Sequence, residues 1–316
     1  MDPDRLNSPS TCTITLEVMG HELHFAQDPN SKHLGTTVWD ASMVFAKYLE
    51  KNCRKGRFNP SKLKGKRVIE LGAGCGVAGF AMAMLGCDVI STDQREVLPL
   101  LKRNVEWNTS RIVQTNSTSE SFGSLEVAEL DWGNEVHIKA VEPPFDYIIG
   151  TDVVYAEQLL EPLLRTIIGL SGPKTTVMLG YEIRSTSIHE KMLQIWKDNF
   201  EVKIIPRSKM DGKYQDPSIH LYIMGQKSSA GCSGTVGLAC SHEEVDTSET
   251  KEEKVDNAGS NDMENEGEAR AVVRLKEDSI LMKLREGKLS DWETRRYGTI
   301  AAQLLRDVKI DLQVKK

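Results

Sequence analysis

Residues 68–79 decide the fold, and they have the sequence Val68-Ile69-Glu70-Leu71-Gly72-Ala73-Gly74-Cys75-Gly76-Val77-Ala78-Gly79. The apolar start predicts a short buried strand over 67–71, and the apolar end predicts a helix over 77–85 that packs on a sheet. Glycines between a strand and a helix let the backbone approach a ligand closely, and the start of the helix presents free N–H groups. The stretch therefore predicts a strand, a ligand-binding glycine loop and a helix.

Strands and helices alternate along the chain on both sides of this loop, after a hairpin expected over 13–25. The other predicted helices cover 38–49, 96–107, 157–170 and 188–200. The other predicted strands cover 88–91, 125–130, 145–150, 175–181, 202–205 and 219–224. Strands separated by helices indicate a parallel sheet, but the last two strands are separated only by a polar loop and should pair antiparallel. This α/β pattern resembles the seven-β-strand, Rossmann-like architecture of class I methyltransferases, with an antiparallel last strand.

The composition is that of a soluble globular protein, with 27% charged residues, 39% hydrophobic residues and a net charge of −6 over 316 residues. No window reaches the ~18 consecutive apolar residues that span a bilayer, and the acidic start lacks a secretory signal. We therefore expect a cytoplasmic or nuclear protein outside the membrane, with reduced cysteines and no metal site. The negative charge speaks against nucleic acid as an obligatory partner.

Changes in composition divide the chain into three parts. Residues 1–227 carry the strand and helix alternation and form the predicted catalytic domain. Residues 228–269 are rich in Ser, Gly and acids and nearly lack aliphatic side chains, so they predict a flexible acidic linker. Residues 270–316 show two apolar stripes at helical spacing, which predict a helical C-terminal extension.

Glu70, Asp93 and Asp131 each lie at the end of one of the first three predicted sheet strands. The loop also matches the G-x-G-x-x-G fingerprint of dinucleotide-binding proteins, so a nicotinamide-dependent dehydrogenase is the alternative. A carboxylate at Glu70 would repel a pyrophosphate but would suit the cationic methionine end of S-adenosylmethionine. Asp93 could accept both ribose hydroxyls. Asp131 and the neighbouring Trp132 could flank the adenine.

Four further segments carry a resemblance to a known family. They are Gly35-Thr36-Thr37-Val38-Trp39-Asp40-Ala41, Thr92-Asp93-Gln94, Leu130-Asp131-Trp132 and Gly150-Thr151-Asp152-Val153-Val154-Tyr155. With the glycine loop they resemble methyltransferase family 16, the seven-β-strand protein lysine methyltransferases related to the enzymes that modify Hsp70 chaperones and valosin-containing protein. The resemblance covers residues 14–227 and stops there.

The resemblance implies a cofactor site for S-adenosylmethionine. The residues implied to contact the cofactor are Trp39, Gly72, Ala73, Gly74, Asp93, Trp132 and Thr151. The charge argument adds Glu70 and Asp131 to this set. For Trp39 the alternative is an ordinary core tryptophan of the first helix.

The resemblance also implies that Asp152 and Tyr155 form the catalytic pair. The D-x-x-Y motif takes the place of the N-P-P-Y motif of amide and exocyclic-amine methyltransferases, which speaks against adenine or glutamine as acceptor. Asp152 and the Tyr155 ring would orient a lysine amine, and the ring face can hold an ammonium group. The implied partner is a protein substrate such as a chaperone or an ATPase.

Several alternatives remain open from the sequence alone. The acceptor could be a small-molecule amine or a protein N-terminus, and the chain could be a non-catalytic cofactor-binding adaptor. Tyr181 and Glu182, at the end of the fifth predicted sheet strand, are further candidates for the rim of the site. His189 and His220 have no clear partner in the sequence, and we interpret both as surface or loop residues.

Overall fold

The computed structural model describes residues 12–115 and 122–227. The predicted linker over 228–269 and the predicted helices over 270–316 lie outside the described residues. The strands within the described ranges are β1 (Cys12–Val18), β2 (His21–Gln27), β3 (Arg67–Leu71), β4 (Asp88–Asp93), β5 (Ser124–Glu129), β6 (Phe145–Thr151), β7 (Ser171–Glu182), β8 (Phe200–Ile204) and β9 (Ile219–Gln226). The helices are α1 (Asp40–Asn52), α2 (Pro60–Leu63), α3 (Val77–Ala83), α4 (Leu98–Thr115), α5 (Glu135–Ala140), α6 (Leu160–Leu170) and α7 (Thr186–Asn199).

Strands β3 to β9 form one sheet in the order β5-β4-β3-β6-β7-β9-β8. Neighbours from β5 to β7 are parallel, because the chain between them returns through a helix before it enters the next strand. Strand β9 runs antiparallel to both β7 and β8. The predicted α/β fold of seven strands with an antiparallel last strand is therefore confirmed.

The predicted hairpin is also confirmed, as β1 and β2 pair antiparallel around a two-residue turn. Met19 and Gly20 both have positive φ, 52° and 79°, which is the turn geometry that matches the twist of the two strands. Two asparagines of α4 bind the open edge of β2. Asn104 accepts from the Ala26 N–H at 2.9 Å, and Asn108 accepts from the His24 N–H at 2.8 Å. The hairpin is therefore attached to α4, the helix that follows β4.

Some helix bounds differ from the predictions. Helix α1 begins at Asp40 rather than at residue 38, because Trp39 is extended and precedes the helix. Helix α5 was not predicted; it is short, and the Asn134 side chain accepts hydrogen bonds from its first N–H groups. Strand β7 begins at Ser171, directly after α6, rather than at residue 175. Within 12–115 and 122–227, no helix combines the length and the apolar character needed to cross a membrane.

An apolar core lies between the sheet and the helices α6 and α7. Ile148 of β6 and Leu179 of β7 meet Leu163 and Ile167 of α6, and all four side chains are at most 1% exposed. Burial of one such side chain stabilises a fold by about 1.5–3 kcal/mol. This packing fixes β6 and β7, whose ends carry one half of the site described below.

Candidate active site

The register of the sheet brings the predicted site residues to one edge. Leu71, the last residue of β3, pairs with Thr92 of β4 on one side and with Gly150 of β6 on the other. The residues that follow these positions are Gly72, Asp93 and Thr151, so they emerge side by side at the carboxyl ends of parallel strands. In open α/β sheets this edge is where ligands bind.

The glycine loop is tightly enclosed by its neighbours. Gly72 has a φ of 60°, and a side chain there would lie 3.0 Å from Val153 and 3.2 Å from the Trp132 ring. Gly74 has a φ of 57°, and a side chain would approach the Gly35 carbonyl oxygen to 3.0 Å. Glycine is required at both positions by conformation and by space. The indole of Trp132 therefore packs against the loop at Gly72.

Asp93 ties the loop to the end of β4. Its Oδ2 accepts a hydrogen bond from the Gly74 N–H at 2.7 Å, and its Oδ1 accepts one from the Gln94 N–H at 2.8 Å. Burial raises the pKa of the Asp93 carboxyl, while these two N–H donors oppose that rise. A carboxylate oxygen has two acceptor sites, so each oxygen can take a further donor such as a hydroxyl group.

Glu70 does not lie on the ligand-facing surface, which corrects the predicted direct contact with the cofactor. Its side chain is 1% exposed and lies against the start of α3, where a side chain at Gly79 would approach Glu70 Oε2 to 2.3 Å. Ser91 Oγ donates to the same oxygen at 2.5 Å. Burial raises the pKa of Glu70 to about 7. Glu70 thus joins β3, β4 and α3 beneath the loop rather than forming a charged rim above it.

Asp131 and Trp132 follow β5, as predicted, and both are partly exposed. The backbone N–H of Asp131 donates to His137 Nδ1 at 3.1 Å, which connects this turn to α5. Possible ligand atoms of Asp131, His137 and Glu129 lie within 4.8 Å of one another, close enough for a metal ion. However, His137 Nδ1 already accepts the Asp131 N–H, and Glu129 lies 3.5 Å from Arg95. Two of the three possible ligands thus have partners of their own. That no metal takes part in the reaction stays a prediction.

Asp152 follows β6 in a left-handed backbone conformation, with a φ of 55°. Its N–H donates to the Gly180 carbonyl at 2.7 Å, which attaches it to the neighbouring strand β7. The side chain is buried, and Oδ1 accepts from the Glu182 N–H at 3.0 Å and from Arg184 Nη1 at 3.1 Å. Oδ2 is buried and has no hydrogen-bond partner among the described residues. Burial raises the pKa of Asp152, and the Arg184 charge opposes this effect.

Arg184 is a site residue that the sequence analysis missed. Besides Asp152 it contacts Glu182, whose Oε2 lies 2.9 Å from Nη2, and its guanidinium lies 5.0 Å from the centre of the Trp39 ring. The signal that could have found it is its position just after Glu182, a candidate for the rim. Trp39 itself is half-buried and donates from Nε1 to the Leu34 carbonyl at 3.0 Å, so it is not a core tryptophan of α1.

Tyr155 follows β6 three residues after Asp152, and its side chain is 44% exposed. Burial of part of the ring and the nearby Asp93 carboxylate both raise the pKa of its hydroxyl. Tyr155 thus presents part of an aromatic ring to solvent beyond the same strand that carries Asp152.

Tyr181 and the two histidines differ from the predictions. Tyr181 is 2% exposed and stacks on Tyr222 with ring centres 5.7 Å apart, so it belongs to the core rather than to the rim. Its hydroxyl is hydrogen-bonded to His189 Nδ1, and His220 Nδ1 lies 3.2 Å from the Tyr222 hydroxyl. The interpretation of both histidines as surface or loop residues was wrong, because His189 lies on α7, His220 lies on β9, and both are partly buried beside a tyrosine. Burial lowers the pKa of both histidines.

Comparison with known proteins gives consistent matches. A family model described as lysine methyltransferase matches residues 18–198, more than half of the chain. The protein N-lysine methyltransferase METTL21A of Danio rerio is 34% identical over 58% of this chain and 76% of its own length. The EEF1A lysine methyltransferase 3 of Mus musculus is 29% identical over 64% of this chain and 78% of its own length. A SAM-dependent methyltransferase structure from Agrobacterium tumefaciens has a TM-score of 0.45 and 18% identity, covering 68% of this chain and 70% of that chain.

Proposed function

Since the chain belongs to the lysine methyltransferase family, we propose that it transfers a methyl group from S-adenosylmethionine to the side-chain amine of a lysine in another protein. The observation that carries the proposal is a pair of buried carboxylates on either side of the glycine loop. Asp93 follows β4 and binds the loop, whereas Asp152 follows β6 and keeps one buried oxygen without a hydrogen-bond partner among the described residues. A donor site and a cation-binding acceptor site thus adjoin at one edge of the sheet.

The residues at this edge fit S-adenosylmethionine. Gly72 and Gly74 have positive φ and close neighbours, so the loop keeps its backbone bare of side chains at the sheet edge. Asp93 would hold the ribose hydroxyls, and Trp132 would cover the ring system above Gly72. When bound, S-adenosylmethionine supplies an electrophilic methyl carbon next to a positively charged sulfur.

Asp152 and Tyr155 would prepare the amine. A lysine side chain arrives as an ammonium with a pKa near ~10.4 in water and must lose a proton before it can accept a methyl group. A partly desolvated pocket lowers that pKa, and the proton leaves to water. Asp152 then orients the nitrogen through a hydrogen bond, while the half-exposed ring of Tyr155 covers it. Positioning of this kind can lower a barrier by roughly 7–11 kcal/mol.

The proposal extends to the class of substrate. The family resemblance supports a chaperone or an ATPase, and the name of the mouse relative adds the elongation factor EEF1A to the candidates. Incubation of the full chain with tritiated S-adenosylmethionine and each purified candidate tests this choice. Label in one candidate supports the proposed class, and label confined to other proteins of a lysate contradicts it.

A cytoplasmic or nuclear location belongs to the same proposal. It is supported by the free thiols of Cys53, Cys75 and Cys87, since cysteines without disulfides are typical of reducing compartments. Cell fractionation with an antibody against the chain tests the location. Recovery in the secreted fraction would contradict it.

The sequence alone left several other functions open. A nicotinamide-dependent dehydrogenase is excluded as the function, because the chain belongs to a methyltransferase family. A small amine or a protein N-terminus as acceptor, and a non-catalytic adaptor, are separated from our proposal by one experiment. Tritiated methyl labelling of a cell lysate, followed by mass spectrometry of the labelled band, should identify methylated lysine. Label in small molecules only, label on an N-terminal amine, or no label at all would contradict the proposal.

A further inference from the structure

We propose that Arg184 is a positioning residue that joins the acceptor carboxylate Asp152 to the donor-side ring of Trp39. The inference rests on the proposed lysine methyl transfer and adds a residue to that site. Arg184 follows β7, Asp152 follows β6, and Trp39 precedes α1, so one side chain connects three separate segments of the chain.

The two terminal nitrogens of the Arg184 guanidinium bind two different carboxylates. Nη1 donates to Asp152 Oδ1 at 3.1 Å, and Nη2 donates to Glu182 Oε2 at 2.9 Å. A planar fork with several donors can make both bonds at once, which a lysine ammonium cannot do in the same geometry. The arginine therefore fixes the direction of the Asp152 carboxylate, whose Oδ2 is buried and makes no hydrogen bond among the described residues.

The charge of Arg184 matters because Asp152 is removed from water. The charged groups beside Asp152 are Arg184 and Glu182, and Glu182 is a second carboxylate that disfavours the ionised form of Asp152. A buried carboxyl that loses its cation takes up a proton more readily. A protonated Asp152 would no longer attract an ammonium, so loss of Arg184 should impair methyl transfer most at low pH.

The contact with Trp39 concerns the donor side. Trp39 is expected to contact S-adenosylmethionine, and its indole lies between the Leu34 carbonyl and the guanidinium of Arg184. A guanidinium within about 6 Å of an indole is attracted to the face of the ring. Arg184 thus restrains the orientation of the ring, and its removal should weaken binding of the donor about twofold to tenfold.

Three variants of the full chain test these two roles. Arg184→Met removes the charge and the stacking, Arg184→Lys keeps the charge only, and Arg54→Met is the control at an exposed guanidinium beyond the end of α1. The initial rate of tritium transfer to acceptor proteins of a cell lysate is measured against pH. The affinity for S-adenosylhomocysteine is measured by calorimetry, and far-UV circular dichroism verifies folding.

We expect Arg184→Met to lose roughly tenfold to a hundredfold in rate at neutral pH, with the acidic limb of the profile moved to higher pH. Arg184→Lys should restore the acidic limb but keep the weakened affinity for S-adenosylhomocysteine. Arg54→Met should match the wild type in both measurements.

The inference is overturned if Arg184→Met matches Arg54→Met in pH profile and in affinity. If Arg184→Met does not fold, Arg184→Lys decides, and wild-type values in both measurements would again overturn it. A wild-type protein that labels no lysine would contradict the proposed function instead, so the two failures can be told apart.

Discussion

Asp93 and Asp152 are both buried carboxylates at the ends of parallel strands, yet different partners hold them. Asp93 accepts hydrogen bonds from two backbone N–H groups, those of Gly74 and Gln94. Asp152 accepts from one backbone N–H, that of Glu182, and from the side chain of Arg184. Backbone donors are fixed with the fold. The side chain of Arg184 is 39% exposed, so its guanidinium can move while the backbone stays in place. In the proposed function, the donor half around Asp93 is therefore held by backbone groups of the sheet edge, whereas the acceptor half around Asp152 is held in part by the exposed side chain of Arg184.

The largest expected effect comes from the acceptor half. Asn should tolerate the left-handed conformation of residue 152, so Asp152→Asn removes the charge with little strain. An amine that is no longer oriented should react roughly a hundredfold more slowly. Tritium incorporation into lysate proteins measures the rate. A variant that keeps most of the wild-type rate would favour the non-catalytic adaptor and would end the distinction between the two carboxylates.

Glu70 sharpens the comparison, since it is a third buried carboxylate and has no cation beside it. Its pKa is raised from 4.5 to about 7, so the folded state favours the protonated form. Its contribution to stability is present below about pH 4.5 and is lost as the pH rises through about 7. Relative to Glu70→Gln, the wild type should therefore lose about 3 kcal/mol of unfolding free energy over this range. Urea denaturation at several pH values measures the difference, and parallel curves for the two proteins would refute it.

The smallest expected effect concerns the exposed ring of Tyr155. If the ring face covers the amine, Tyr155→Phe should keep the methyl-transfer rate within about threefold, and Tyr155→Ala should lose about tenfold. The pair of variants separates the hydroxyl from the ring in the same assay. A severe loss in Tyr155→Phe would instead assign the role to the hydroxyl, whose pKa is raised by burial and by Asp93.

The sequence predicted the fold and the grouping of residues 72, 93 and 151 at one sheet edge, for a physical reason. The order of strands and helices determines which strand ends share an edge, so residues that directly follow β3, β4 and β6 can be placed together without coordinates. The order of strands and helices does not determine which way a side chain within a strand points. Glu70 lies on the strand itself, and its carboxylate faces α3 instead of the ligand edge.

The acceptor half could be predicted only in part. Asp152 and Tyr155 follow β6 in one local motif, but Arg184 reaches Asp152 from 32 residues away through the pairing of β6 with β7. The asparagine contacts between α4 and β2 join residues 78 and 84 positions apart. The contact of His189 with Tyr181 likewise depends on how α7 packs beside the end of β7. Contacts of this kind follow from tertiary packing and leave no periodic signal in the sequence.

The central claim is that Asp93 serves the donor and Asp152 serves the acceptor. The most direct test measures the affinity for S-adenosylhomocysteine, and the methyl-transfer rate at rising S-adenosylmethionine concentration, for Asp93→Asn and Asp152→Asn in parallel. Asp93→Asn should bind S-adenosylhomocysteine roughly tenfold to a hundredfold more weakly, because its amide cannot accept both N–H groups, and saturating donor should largely restore transfer. Asp152→Asn should bind S-adenosylhomocysteine like the wild type and keep its roughly hundredfold lower rate at any donor concentration. Equal losses of affinity in the two variants, or recovery of Asp152→Asn by excess donor, would contradict the account.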